Sequence, residues 1–195
     1  TGTLSHTKPL VTLDELQKQA LANRPDLQSA HTGVKLANDT VSLAYGNRAR
    51  DLTWSGDYTN QNGGTNGVGV ALSFELPIHD RNQGEIARSQ AAVRQSVEME
   101  SSTQVVVLTD VVNAYYALQS DEQIVSLYES GYLSQATQSR DISNYAYQRG
   151  AATILDVLDA ERSYRATQMA YRQALANHMI AAEQVNQAVG TQVIQ

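Results

Sequence analysis

The chain has 195 residues, of which 42% are hydrophobic and 17% charged, and its formal net charge at pH 7 is −6. This acidic balance argues against a nucleic-acid binder, which needs a basic face. The chain has no cysteine, so neither a disulfide framework nor a thiolate metal site is available. No run approaches the 18 consecutive apolar residues that would predict a transmembrane helix.

The remaining chemistry-bearing residues do not form a recognisable catalytic or metal-binding pattern. No Ser/His/Asp order, Gly-rich phosphate loop or Glu-rich di-metal pattern occurs. We therefore expect no enzyme, no cofactor and no metal site. The four histidines are scattered without an i, i+4 pair: His6, His31, His79 and His178.

The N-terminal quarter of the chain predicts two helices. Residues 1–25 are interpreted as an irregular lead-in and a short helix, opened by a capping box between Thr12 and Glu15. Pro25 disfavours a helical residue before it and pre-sets a new first turn, so the second helix is assigned to residues 26–50. Its apolar residues recur every three or four positions, which is typical of one buried helix face.

Residues 51–79 change from a helical period to a period of two, which predicts a β-hairpin around a glycine-rich turn at residues 63–67. Strands of about ten residues, apolar on one face and small or polar on the other, match those of a transmembrane barrel assembled from several copies. A soluble sheet flanking a helical bundle is the alternative. The apolar face consists of Leu52, Trp54 and Tyr58 from the first strand, and Val68, Val70, Leu72, Phe74, Leu76 and Ile78 from the second.

The rest of the chain predicts a long helical hairpin: one helix at residues 80–149, a turn at 150–153, a return helix at 154–190 and a tail at 191–195. A helix of the first span would be about 100 Å long and needs a partner along its length. Its apolar residues follow a 3.5-residue lattice with a second stripe beside it, which suits contacts on two sides. The lattice includes Val97, Val107, Val111, Leu118, Val125, Tyr132 and Ile142, and the second stripe includes Val105, Ile124 and Leu127.

Six short segments mark these elements in a fixed order. They are NRPDL at 23–27, LPIHDRNQG at 76–84, VNAYY at 112–116, YQRG at 147–150, ILDVLDA at 154–160 and VG at 189–190. Their order and spacing closely resemble the TolC-type outer-membrane efflux family. The similarity is strongest to the outer-membrane factors of tripartite resistance-nodulation-division pumps, including the heavy-metal branch, and it covers nearly all of the chain after Val11.

The resemblance implies a mainly α fold with a β-hairpin. The long antiparallel helical hairpin would form a segment of an α-barrel, and the two strands would belong to an oligomeric transmembrane β-barrel in outer-membrane lipid. The short first helix would be of the equatorial type, and the second would rise to the barrel. Family members are internally duplicated and form trimers, so we expect this chain to be the C-terminal repeat of a longer protein from the outer membrane and periplasm of a Gram-negative bacterium.

The resemblance also assigns functions to the tip between the two long helices, which in the family constricts the pore and contacts the periplasmic adaptor (membrane fusion) protein. Ala152 stands where the family's gate has a basic residue, so a Tyr–Arg–Asp latch would have to be rearranged around Arg149 or Arg162. By position, the pore gate consists of Tyr147, Asp156 and Asp159, and the adaptor-contact tip of Arg149, Gly150, Ala151, Ala152 and Thr153.

The two aspartates have a structural interpretation as well. A ring of carboxylates at a constriction would concentrate cations and bind divalent ions. Thr153 at an N-cap with Asp156 at the N3 position would equally form a capping pair, and acids favour the first turn of a helix. The residues alone leave both interpretations open for Asp156 and Asp159.

The sequence thus predicts a channel subunit that works as a passive export duct, gated at its periplasmic tip and coupled through an adaptor to an inner-membrane pump. The alternative is a structural coiled-coil or adaptor-type periplasmic scaffold, which would also contain a long helical hairpin. An adaptor would carry lipoyl-like and β-barrel segments on either side of its hairpin. Here the predicted strand pair lies between helices.

Overall fold

The structure, a computed structural model, describes residues 11–49, 51–61, 63–74 and 81–194. The predicted first part of the lead-in, with His6, and the strand end with Leu76, Ile78 and His79 lie outside the described residues. The fold class is confirmed as mainly helical with one two-stranded antiparallel sheet. The helices are α1 (Leu13–Asn23), α2 (Pro25–Gly46), α3 (Gln83–Leu127), α4 (Leu133–Gln148) and α5 (Ile154–Val189), and the strands are β1 (Leu52–Gln61) and β2 (Thr65–Phe74).

The chain divides into two compact units, one of Thr1–Gln28 with Thr103–Gln195 and the other of Ser29–Ser102. The core of the first unit is built from one face each of α1, α3 and α5. Leu16 of α1, Val111 of α3 and Val185 of α5 are almost fully buried within it. Spacings of three and four residues on each helix bring these side chains to a common face, as the periodicity predicted.

The α3 lattice is covered over only part of its length. Val107, Val111, Leu118 and Val125 are buried, as expected for lattice positions. Three other lattice positions and three positions of the second stripe are exposed to between 42% and 61%, and they belong to neither of the buried clusters that the described residues form. These exposed residues are Val97, Val105, Ile124, Leu127, Tyr132 and Ile142.

The segment predicted as one long helix over 80–149 is helical from Gln83 to Gln148, but it changes helix type partway along, which the sequence did not predict. A π-helical segment, Tyr128–Tyr132, separates α3 from α4. Tyr171 of α5 packs against this segment: its ring centroid lies 6.2 Å from that of Tyr128, and its hydroxyl donates to Glu129 Oε1 at 2.9 Å. The widened turn contains Gly131 and lets two consecutive residues meet one side chain of the partner helix.

Two smaller predictions at helix ends also differ from the structure. Thr12 is the N-cap of α1 but makes no side-chain cap hydrogen bond, so the predicted box with Glu15 does not form. Both side chains are exposed, and water can satisfy the first N–H groups of the helix. Helix α2 ends at Gly46, several residues before the predicted end at residue 50.

Arg24 fastens the turn between α1 and α2 to the end of α5. Its guanidinium forms two bonds to Asp26, at 3.0 and 2.6 Å, and donates to the Ala188 carbonyl at 3.2 Å and to Asp110 at 3.3 Å. A cation at the C-terminus of α5 also interacts favourably with the helix dipole. Gly190 adopts the left-handed conformation, with φ 79°, and packs against the turn between α1 and α2. A Cβ added to it would lie 3.5 Å from Arg24 Cα.

We expect the substitution Arg24→Met to lower the free energy of unfolding by about 2 kcal/mol, because it removes charge-assisted hydrogen bonds and leaves the Ala188 carbonyl without this donor. Lys18→Met is the matched control. Its ion pair with Asp14 joins side chains that are 74% and 75% exposed, so its loss should change stability by less than about 0.5 kcal/mol. Chemical denaturation followed by circular dichroism measures both, and equal losses in the two variants would contradict this role for Arg24.

In the second unit, the two strands pair antiparallel, as a β-hairpin requires. Leu52 lies opposite Phe74, Trp54 opposite Leu72 and Tyr58 opposite Val68. All large apolar side chains therefore share one face, as the alternation predicted. That face is between 60% and 80% exposed in the chain and consists of Leu52, Trp54, Tyr58, Val68, Val70, Leu72 and Phe74.

The same unit holds α2 alongside the first part of α3. Asn82, just before α3, donates to the Ala44 carbonyl at 2.9 Å. Further along, Gln90 donates to the Tyr45 hydroxyl at 3.0 Å, and His31 Nδ1 lies 3.0 Å from Glu100 Oε1. From the start to the end of α2 the partner residues move back from Glu100 to Asn82, so the two helices run antiparallel.

Candidate functional site at the tip of the helical hairpin

The predicted tip begins where α4 ends in a Schellman motif. The N–H of Ala151 bonds to the Ala146 carbonyl and the N–H of Gly150 to the Tyr147 carbonyl, both at 2.9 Å. The motif requires a left-handed residue, and Gly150 supplies it with φ 73°.

Helix α5 begins with a capping box at Thr153 and Asp156. The Thr153 hydroxyl accepts from the Asp156 N–H at 3.3 Å, and the Asp156 carboxylate accepts from the Thr153 N–H at 2.7 Å. The same carboxylate oxygen lies 2.7 Å from the Thr153 hydroxyl. Asp156 therefore forms the cap that its spacing predicted. Ala152 is thus the one residue between the Schellman motif, which ends at Ala151, and the N-cap Thr153.

These hydrogen bonds to Thr153, first from its hydroxyl and then from its backbone N–H, hold the pKa of Asp156 below its ordinary value. The carboxylate is thus charged at neutral pH and points to solvent at the start of α5. A stable anion in this position fits both a cap and a cation-attracting group.

Because the pKa of Asp156 is lower in the folded protein, the free energy of unfolding should depend on pH, and the sign of this dependence follows from linkage. Asp156 should contribute stability above pH 3.8, the ordinary pKa of the group, and the contribution should disappear as the pH falls through the lower folded-state value. Thr153→Val removes the hydroxyl and should reduce this dependence, because the largest cause of the shift is lost. Thermal unfolding at pH 7 and pH 3 measures the difference, and an identical acid dependence in the variant would contradict the assignment.

The second aspartate, Asp159, has a different partner. Its Oδ1 accepts from Arg162 Nη1 at 3.1 Å, and both side chains are largely exposed, at 73% and 81%. Arg149 instead places its guanidinium carbon 5.2 Å from the ring centroid of Tyr145. Of the two arginines considered as latch partners, Arg162 thus contacts a predicted gate carboxylate within the chain.

Tyr147, the remaining predicted gate residue, is 46% exposed at the end of α4. Within the described tip it makes no hydrogen bond or ion pair with Asp156 or Asp159. The structure therefore brings Thr153 and Asp156 together, pairs Asp159 with Arg162, and leaves Tyr147 apart from both carboxylates.

Sequence reasoning gave no role at the tip to the exposed apolar side chains that flank it. Val157 is buried against the hairpin, whereas its neighbours on the first two turns of α5 and the last turns of α4 are between 50% and 68% exposed. Their alternation with Asp156 and Asp159 was the available signal. The exposed set is Ile142 and Tyr145 on α4 and Ile154, Leu155 and Leu158 on α5.

Arg140 is a second feature missed from the sequence. Its guanidinium carbon lies 4.3 Å from the ring centroid of Tyr164, and it donates to Asp141 at 2.7 and 3.0 Å. An arginine held over an aromatic ring and beside a carboxylate connects α4 to α5 by a cation–π contact. This contact braces the hairpin behind the tip.

No group of three or more His, Cys, Asp or Glu side chains in the described ranges is arranged to hold a metal ion. Nor is any helix in those ranges both long and apolar enough to cross a membrane.

Comparison with solved structures identifies the fold. The outer-membrane channel MtrE of Neisseria gonorrhoeae, solved in its open state, superposes with a TM-score of 0.79 at 20% identity, covering 97% of this chain and 47% of that one. The chain thus shares the fold of about half of that channel subunit.

Sequence comparison identifies the family. The family model described as outer membrane efflux protein matches residues 16–191. TolC of Escherichia coli (strain K12) is 29% identical over 167 residues, covering 78% of this chain and 32% of TolC. Nodulation protein T of Rhizobium leguminosarum bv. trifolii is 26% identical over 184 residues, covering 88% and 38%. The chain belongs to the outer membrane efflux protein family.

The match confirms the TolC-type resemblance and the outer-membrane location that it implies. The scaffold alternative is not favoured, since the matching family consists of efflux channels. The chain spans about a third of the length of the curated relatives it matches, at 32% and 38%.

Proposed function

We propose that the complete protein carrying this chain is the outer-membrane channel subunit of a tripartite efflux system and works as a passive export duct. The exposed apolar face of the β-hairpin is the observation that carries the proposal. Seven large apolar side chains share that face, while the opposite face holds only small or polar ones. This pattern is typical of a strand pair with lipid on one side and water on the other.

Assembly of several copies is the second part of the proposal. Two strands leave their outer edges unpaired and cannot close a barrel. The uncovered stripe on α3, with Val105, Ile124 and Leu127 exposed to 61%, 42% and 52%, supplies an apolar surface for a neighbouring helix. A homo-oligomer, in the family form a trimer of full-length chains, would bury this stripe and complete the sheet.

The tip is the proposed gate and the proposed contact for a periplasmic adaptor that transmits the action of an inner-membrane pump. Arg149, Gly150, Ala151, Ala152 and Thr153 would meet the adaptor, and the exposed apolar residues beside them offer additional contact area. Tyr147, Asp156 and Asp159 would line the constriction. Opening would be a shift of α5 against α4 between two packing arrangements, biased by adaptor contacts.

The dependence on detergent tests the proposal against the scaffold alternative. The complete protein should fractionate with outer membranes and should precipitate or aggregate when detergent is removed after purification, because the hairpin face needs an apolar environment. A protein that stays monodisperse in detergent-free buffer and fractionates with soluble periplasmic proteins would overturn the proposal.

A further inference from the structure

Within the described strands, Leu52–Gln61 and Thr65–Phe74, the polar face carries a single formal charge. Asp57, in the middle of β1, is the only charged residue in the two strand sequences. It lies opposite Gly69 of β2, on the face away from Trp54 and Leu72. Its neighbours on that face are Ser55 and Thr59 on β1 and Ala71 and Gly67 on β2.

The Asp57 carboxylate lies over the backbone of the opposite strand. Its Cγ and Oδ2 are each 2.9 Å from the position that a Cβ of Gly69 would occupy. Any other residue at position 69 would have to displace this side chain. Glycine in a strand interior weakens the strand and marks a close approach of other atoms, and here those atoms belong to a carboxylate.

Thr59 repeats the arrangement two residues further along β1. Its Oγ1 lies 2.9 Å from the Cβ position of Gly67 and bonds to the Gly67 carbonyl at 3.5 Å. Gly67 and Gly69 therefore form a shallow track on which two β1 side chains lie flat. Because the two side chains lie flat, they protrude little from the polar face. The contact with Gly69 also fixes the position of the Asp57 carboxylate along the strands.

We propose that Asp57 is a specificity-determining residue that sets the cation preference of the strand-lined part of the export path. This inference rests on the proposed channel function, in which the polar face lines water. Symmetry would place every copy of Asp57 at the same height, so the carboxylates form a ring. Such a ring raises the local concentration of cations. Because each carboxylate lies flat on Gly69, the ring adds charge without narrowing the path.

The absence of cysteine from this sequence makes a direct test possible. The complete protein would be recorded in a planar bilayer as the unsubstituted form and as Asp57→Cys, with any other cysteines replaced. Asp57→Cys should lower the ratio of cation to anion permeability by about twofold or more. Reaction with an anionic methanethiosulfonate should restore the preference, and the trimethylammonium reagent should reduce it further. Ser55→Cys, on the same face, should also react.

The matched control is Val70→Cys, which lies on the apolar face and should react with neither reagent. Reaction there, or no response of Asp57→Cys in channels whose Ser55→Cys form responds, would overturn the inference. Asp57→Asn covers the case in which the cysteine variant fails to insert: an unchanged reversal potential overturns the inference by itself. If the unsubstituted protein does not conduct, the proposed channel function fails, and the two failures are thus distinguishable.

A second variant tests the part played by the glycine. Gly69→Val keeps the Asp57 charge, but the valine side chain occupies the space where the carboxylate lies. The carboxylate must therefore point away from the sheet. Single-channel conductance should fall while cation preference is retained or increased. An unchanged conductance would show that the flat position of the carboxylate has no effect on permeation.

Discussion

Replacing Asp156 and Asp159 together by asparagine is expected to lower the cation preference of the complete channel by about tenfold, because carboxylates at a constriction raise the local concentration of cations. Block by divalent cations should weaken in parallel. Both carboxylates lie within the first turns of α5, and Asp156 remains charged because Thr153 stabilises the anion. Asparagine at 156 keeps an oxygen that accepts the Thr153 N–H, so the cap is retained while the charge is lost. The reversal potential in a salt gradient measures the change.

The control variant removes the same number of negative charges at positions away from the tip. Asp14→Asn with Asp39→Asn removes two exposed carboxylates from α1 and α2. It should leave the reversal potential near that of the unsubstituted channel. Unchanged selectivity in the tip variant, or an equal change in the control, would assign Asp156 to the cap alone and Asp159 to its pair with Arg162.

The substitution Leu72→Arg should prevent stable insertion into the outer membrane. Leu72 lies opposite Trp54 on the apolar face and is 65% exposed in the chain. An arginine on a lipid-facing strand position costs about 2–4 kcal/mol per copy near the middle of the bilayer. The inserted fraction, measured as protein that resists extraction by urea from membranes, should fall severalfold or more.

Ala71→Arg is the matched control for this prediction. It places the same side chain one residue away, on the face that carries Ser55 and Asp57. Because that face would meet water, the variant should still insert. Equal insertion of both variants would contradict the assignment of the apolar face to lipid, as would a defect confined to Ala71→Arg.

The elements that sequence reasoning predicted well were those fixed by local chemistry. Gly150 and Gly190 adopt positive φ because helix ends of this type need a residue without a side chain. Trp54 pairs with Leu72 because a period of two places alternate residues on one face. In each case the decisive interaction lies within a few residues along the chain or across one turn.

What the sequence did not predict depends on distant partners. The π-helical turn at Tyr128–Tyr132 is met by Tyr171, more than thirty residues away, and the Tyr171 hydroxyl binds Glu129 there. Helical periodicity carries no sign of such a contact. Asn186 was also missed, although its partners are close along the chain: it is buried, accepts from the N–H groups of Val193 and Ile194 at 2.8 and 2.9 Å, and thereby anchors the C-terminal tail.

The candidate gate shows the same division. The cap formed by Thr153 and Asp156 and the i, i+3 pair of Asp159 with Arg162 are both local to the start of α5. The position of Arg140 over Tyr164, by contrast, emerges only when α4 and α5 are packed. Whether the carboxylates also face a pore depends on neighbouring chains. Ion selectivity is the measurement that tests it.

The most direct test of the channel account is single-channel recording of the complete protein in a planar lipid bilayer, after purification in detergent. The account predicts discrete, cation-selective conductance steps whose selectivity falls when Asp156 and Asp159 are neutralised. A protein that inserts into the bilayer, as shown by protease protection of the β-hairpin, and yet produces no conductance steps would contradict it.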